Sequence, residues 1–180
     1  KGFLKDPLLV FDLNIAFSLA VLSVIKKYQI PDVTVKWPND IMSGNKKVGG
    51  ILIENSFKSD GEIQSVVGLG LNVNQQNFEG LPQASSLSVS SNRQFDKDVL
   101  IFEILTQFKK YIDQWSENAD AFKTEYISSL FKLNQKMMFK KPDEMVFEGS
   151  VIGISPSGKL LIQSDFDVFN FDIKEVQMIF

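Results

Sequence analysis

Apolar positions run almost unbroken through residues 8–25, "LLVFDLNIAFSLAVLSVI". The run approaches the length of a membrane span, but Asp12, Asn14, Ser18 and Ser23 interrupt it, and carboxylate and amide groups at that depth in lipid are costly. It predicts a buried core helix instead, entered at Pro7 in its first turn and ending near Tyr28, with Lys26 and Lys27 favouring its C-terminal end. After "QIPD" the periodicity shortens to that of strands. Residues 33–37 read as a short strand, Pro38 bars a central ladder, and Asn39-Asp40 suit the tight turn that follows. Ile41-Met42, the turn "SGN" and residues 46–55 then form a hairpin. "KSDGE" is the next turn, signalled by Asp60-Gly61, and residues 63–73 form the next strand, which completes an antiparallel meander.

Residues 74–92 shift to Gln, Asn and Ser and read as a loop. Asp96 or Asp98 caps a helix through "VLIFEILTQFKKYIDQW", and a second helix is expected over about 119–130. Beyond "KLNQ" come five short runs, "MMF", "VFEGSVIGI", "KLLIQS", "VFNFDI" and "VQMIF", at the spacing of a small SH3-like β-barrel. The expected fold is therefore α+β: a mixed, largely antiparallel sheet with packed helices over residues 1–133, and a barrel over 134–180, with the boundary near residues 133–136.

Composition narrows the chemistry. The 180 residues contain no cysteine and no histidine. That excludes disulfides, thiolate metal sites, cysteine nucleophiles and any Ser-His triad, and leaves lysine, carboxylates, amides and backbone groups to do the work. A net charge of −3, evenly spread, gives no basic stripe for nucleic acid.

Within "VKWPNDIMSGNKKVGGILIEN" (residues 35–55), Lys47 follows a turn and precedes Gly49-Gly50, which let a ligand approach the backbone. An ammonium there suits a carboxylate or phosphoryl oxygen whose charge grows during reaction. On spacing alone it reads first as a solvated hairpin lysine, since charged hairpin residues are common. Alternation aims Lys46 at the opposite face, toward solvent. Asn39 and Asp40 bind local backbone as readily as a ligand, and Trp37 reads as core or as the wall of a ring-shaped site. "GLGLN" (residues 68–72) lies within a strand and opens no helix, which rules out a dinucleotide fingerprint. Asn72 either orients a ligand or finishes the sheet edge.

The order "KWPNDI", Lys47, "GGILIE", "GLGLNVN", "ASSL", helices and small barrel resembles the catalytic and C-terminal domains of biotin–protein ligases across nearly the whole chain. The resemblance implies a class II synthetase-like fold, activation of biotin by ATP to biotinyl-5'-adenylate, and transfer of biotin to a lysine of a biotin carboxyl carrier domain in the cytoplasm. It implies that Lys47 contacts the biotin carboxylate and α-phosphate, and that Asp40 and Asn39 serve the metal, the adenylate and the acceptor lysine. Gly50, Ile51, Leu52, Gly68 and Gly70, with Leu71 on the same strand, would surround the biotin rings. Asn72 would serve ATP and metal, and Trp37 the adenylate. Mg²⁺ would accompany the nucleotide, with no all-protein metal site. Exposed sheet edges make a homodimer reasonable. The family's Gly/Arg-rich loop precedes the first helix and is not found within these 180 residues, whose one arginine is Arg93. The expectation is therefore a chain lacking part of its catalytic domain and inactive alone. A lipoate or octanoate ligase or transferase, which shares the fold, and a non-catalytic binding module are the alternatives.

Overall fold

The structure is a computed structural model that describes residues 10–59, 61–165 and 167–180. The expected helix start at Pro7 and the Asp60 half of the Asp60-Gly61 turn lie outside the described residues. Helix α1 spans Val10–Lys27 and is buried on nearly every side, since it lies between the first sheet and helix α3, Lys97–Ser128. This is why it shows no polar stripe: a helix covered on both flanks needs none. No helix among the described residues is long and apolar enough to cross a membrane. The buried charge of α1 is matched, as Asp12 meets Lys123 of α3 at 3.2 Å.

The first sheet is antiparallel, in the order β1 (Val33–Lys36), β2 (Asp40–Ser43), β3 (Lys46–Phe57) and β4 (Ile63–Leu71). The β1–β2 turn is Trp37-Pro38-Asn39, with a cis Trp37–Pro38 bond, and Asp40 already pairs with Lys36 in the ladder. The expected Asn39-Asp40 turn thus sits one residue earlier. Beneath the corner, the Pro38 carbonyl accepts hydrogen bonds from Asn14 Nδ2 at 2.8 Å and from the Tyr126 hydroxyl at 3.2 Å. Burial raises the Tyr126 pKa well above the usual phenol value, so the group stays a neutral donor.

Two expectations are corrected. The polar loop contains a short helix α2, Leu87–Ser91, capped by the Ser86 hydroxyl and stopped by Asn92 in the left-handed region. The two helices expected after residue 96 are one, α3, with Asp96 as its cap. "SENADA" holds no glycine or proline, its polar side chains bond back along the helix (Asn118 to Gln114 O, 3.1 Å), and Trp115 packs on Phe122 one seam further on. Helix α3 ends against the sheet edge, where Val35 N donates to Ser129 O and Phe131 N to Val35 O, each at 2.8 Å.

The chain then forms a second antiparallel sheet, in the order β8 (Val168–Phe171), β7 (Leu160–Gln163), β6 (Val146–Ile154), β5 (Lys136–Lys140) and β9 (Gln177–Ile179). Its interior is Phe139, Val151, Leu160, Ile162 and Phe171. Its β6–β7 turn reaches the first sheet: Trp37 Nε1 donates to Gly158 O at 2.9 Å in a buried hydrogen bond.

Candidate ligand-activation site

Strand β3 carries one extra residue. Met42 pairs with Lys47 and Ile41 with Gly49, so Val48 stands opposite no single partner. This bulge re-aims the strand. Lys47 and Gly50 are separated by an odd number of residues and belong on opposite faces by strict alternation. Instead, a Cβ placed on Gly50 would lie 3.4 Å from both Cε and Nζ of Lys47 and 3.5 Å from Oδ1 of Asp40. Gly50 therefore makes room for the Lys47–Asp40 pair itself. Gly49 serves the sheet instead, since its added Cβ would stand 2.9 Å from Gly70 O and from Leu71 Cδ1. Its bare backbone permits β3 and β4 to close.

Lys47 Nζ is 2.5 Å from Asp40 Oδ1, and Lys36 Nζ is 3.5 Å from Oδ2. One carboxylate thus faces two ammonium groups, and the local surplus is positive. Lys47 backbone is fixed as well, since its N–H donates to Gln83 O at 2.7 Å and its carbonyl accepts from Ser85 N at 2.9 Å. Residues 83–85 act as a parallel strand-like brace where composition alone predicts only a loop. The "ASSL" motif was the available signal for it. Lys46 is exposed, as alternation predicts, and its ammonium bonds to Pro82 O. The Asn39 amide donates to Ile51 O, and Ile51 N returns a bond to Asn39 O at 2.9 Å, which ties the corner to β3.

A shallow hollow of about 420 Å³ is lined by Asp40, Lys47, Gly50, Leu52, Gly68 and Gly70, together with Asn39, Ile51 and Leu69. Leu52 is 60 % exposed there. The nearest atom to a Cβ on Gly68 would be Leu52 O at 3.8 Å, and on Gly70 it would be Gly50 O at 3.9 Å. Backbone packing thus leaves both positions free for a side chain, and their lack of one keeps the sheet face open. Three expected residues fall outside the hollow. Leu71 packs against Gly49, and Asn72 donates from Nδ2 to Ser85 O at 3.0 Å, holding the brace. Trp37 lines a larger neighbouring cavity of about 710 Å³ between α1, the corner and the second sheet, where Asn39, Ile51 and Leu52 also appear. Among the described residues, no group of three or more acidic, histidine or cysteine side chains is placed to hold a metal ion.

The arrangement offers an anion-seeking ammonium and a carboxylate on a glycine floor beside an apolar wall. Such a pair can meet a carboxylate or phosphoryl oxygen. Residues 3–72 match the Biotin/lipoate A/B protein ligase family. The bifunctional ligase/repressor BirA of Bacillus spizizenii is 30% identical over 157 residues, which are 84% of this chain and 48% of that protein. The biotin–[acetyl-CoA-carboxylase] ligase of Mycobacterium tuberculosis is 28% identical over 153 residues, 83% of this chain and 56% of that one. The apo biotin protein ligase of Aquifex aeolicus shares the fold, with a TM-score of 0.77 at 24% identity over 94% of this chain and 75% of that chain. The chain is thus similar in sequence to biotin protein ligases over most of its length and shares their fold. It spans about half the length of the BirA relatives it matches.

Proposed function

We propose that the chain carries the lysine–carboxylate half of a site that activates biotin with ATP and passes it to a lysine of a biotin carboxyl carrier domain. The observation that supports this most is the Lys47–Asp40 pair, standing on a floor of three glycines beside an exposed leucine. In the first step a biotin carboxylate oxygen attacks the α-phosphorus and pyrophosphate leaves. Lys47, turning from Asp40 to the forming anhydride, stabilises charge on both carboxylate and phosphoryl oxygens. In the second step the acceptor amine attacks the biotinyl carbonyl and AMP leaves, with Asp40 positioned to receive the amine's proton. Gly50, Ile51, Leu52, Gly68 and Gly70 seat the rings, while Asn39 and Asn72 hold the nucleotide end through the corner and the brace. Mg²⁺ enters this reading only as the companion of the nucleotide phosphates. The name of the mycobacterial relative supports acetyl-CoA carboxylase as the class of acceptor.

Arg93, the single arginine, bonds to Tyr28 O just beyond the C-terminal end of α1 and does not line the hollow. No guanidinium among these residues faces the site, and we infer that residues 1–180 alone do not adenylate biotin at ordinary ligase rates. The reading is tested by calorimetry on a form as long as the relatives, titrated with biotin and with lipoate. Biotin is expected to bind and lipoate to bind at least about tenfold more weakly, a difference of roughly 1.4 kcal/mol. Gly68→Ala should leave the melting temperature unchanged and weaken biotin by about tenfold or more, because its methyl enters the ring seat. Preferential lipoate binding, or a Gly68→Ala protein with unaltered biotin affinity, would count against it.

A further inference from the structure

Two different parts of the second sheet grip two consecutive residues of the corner. The β6–β7 turn holds Trp37, and the chain just beyond β9 reaches Lys36, whose ammonium stands over the Phe180 ring at 5.2 Å from its centre. The same ring packs on Phe131 at 5.1 Å, and Phe131 N donates to Val35 O of β1 at 2.8 Å, so its seat is tied to the strand that carries Lys36. The Phe180 carbonyl accepts from Gln83 Nε2 at 3.2 Å, while Gln83 O receives the Lys47 backbone N–H. On its other side, Lys36 Nζ lies 3.5 Å from Asp40 Oδ2, with the Lys36 side chain only 27% exposed. A series of contacts therefore runs from β9 through Phe180 and Lys36 to the carboxylate that holds Lys47. Among the described residues, none of the second sheet lines the hollow, and neither does Lys36. The second sheet reaches the pair through Lys36 and Gln83.

We propose that Lys36 and Phe180 are positioning residues for the Lys47–Asp40 pair, and both roles rest on the proposed function. Asp40 carries one negative charge between two ammonium groups. A carboxylate shared in this way holds Lys47 less firmly than one that has Lys47 alone, which eases the turn of Lys47 to the forming anhydride. Once Lys47 has turned, Lys36 is the cation left beside Asp40, and it keeps the carboxylate anchored and compensated next to the incoming phosphates. Phe180 lets Lys36 do both. Its ring face attracts the ammonium without presenting a second carboxylate that would compete with Asp40. A carboxylate in place of the ring would draw Lys36 off Asp40, and a small side chain would let the ammonium swing out to water.

The test is biotin-dependent ATP–pyrophosphate exchange on a form as long as the relatives, with kcat and the KM for biotin measured separately. Lys36→Met is expected to lower kcat by about tenfold, since a reacting pair that loses its support spends less time in the productive geometry. The KM for biotin should stay within about twofold, because Lys36 does not line the hollow. Lys36→Arg keeps the charge and stacks on an aromatic ring, and should recover kcat to within about threefold of the parent. Phe180→Leu keeps an apolar side chain against Phe131 and should lower kcat by about threefold, the size of one partly exposed cation–π contact. In the Lys36→Met background the same change should lower it by less than about 1.5-fold, since Phe180 acts through Lys36. Circular dichroism melts accompany each variant. Lowered melting temperatures with parent kcat would make the contact a structural latch and overturn the proposal. Equal losses from Phe180→Leu in both backgrounds, or a Lys36→Arg protein no better than Lys36→Met, would overturn it too. A parent form without biotin-dependent exchange would instead overturn the proposed function, and the roles of Lys36 and Phe180 with it.

Discussion

Lys47→Ala is expected to lower biotin-dependent ATP–pyrophosphate exchange by about 10²–10³-fold, the usual cost of removing a charged donor from a developing anion. The assay belongs on a form of the protein that spans the length of its relatives. The stability of the variant should hardly change: the Lys47 side chain is 49% exposed, and an ion pair in that setting contributes less than about 1 kcal/mol. The two readouts separate roles cleanly. Loss of exchange with an unaltered denaturation curve marks Lys47 as a group that meets substrate. Exchange within about threefold of the parent, a difference under 1 kcal/mol in the barrier, would return Lys47 to the status of a solvated hairpin residue and remove the main support for the proposed function.

Gly158→Ala is expected to cost about 2–4 kcal/mol of stability, by overpacking at a left-handed position. Gly158 has φ +84, and an added Cβ would stand 2.2 Å from Cγ of Phe11 and 2.6 Å from its Cβ. The phenylalanine cannot yield easily, because its ring packs edge-on against buried Tyr126 at 5.9 Å. The Gly158 carbonyl receives the Trp37 indole, so the β6–β7 turn must withdraw from the Trp37-Pro38 corner to relieve the clash. A urea titration measures the loss, and the emission of Trp37, one of two tryptophans, should shift as its hydrogen bond breaks. Ser157→Ala, one residue away and exposed, should change stability by less than about 0.5 kcal/mol. If Gly158→Ala melted with the parent, the two sheets would not be latched at this turn.

Much of the fold could be read from periodicity because each element has a single dominant environment. Helix α1 is apolar all round and is covered all round; β4 alternates strictly and presents one open face. Periodicity misleads where a local signal is overridden at a distance. "SENADA" resembles a helix stop, yet the Trp115–Phe122 seam holds α3 through it. "ASSLSVSS" resembles a loop, yet Ser86 caps a helix whose first residue, Leu87, is fully buried. Of the candidate site residues, Asp40, Lys47, Gly50, Leu52, Gly68 and Gly70 share one hollow, a clustering that the order of the motifs suggests. The geometry of the hollow is not suggested by that order. Alternation along β3 puts Lys47 on the wrong side of Gly50, and only the pairing register reveals the extra Val48. The roles of Asn72 and Trp37 were equally hidden, because their partners, Ser85 and Gly158, lie 13 and 121 residues away.

That extra residue gives the strand an unusual asymmetry toward genetic change. Val48 is wholly buried, and exchange for another apolar side chain of similar size leaves the residue count intact. Loss of the same codon is a different event. Strand β3 would still pair with β4 from Gly49 onward, and the sheet would be straighter, but everything before the deletion would rotate to the other face. The ammonium that now meets Asp40 would take the inward direction of the buried Val48 side chain, away from the carboxylate and at the cost of burying an unpaired charge.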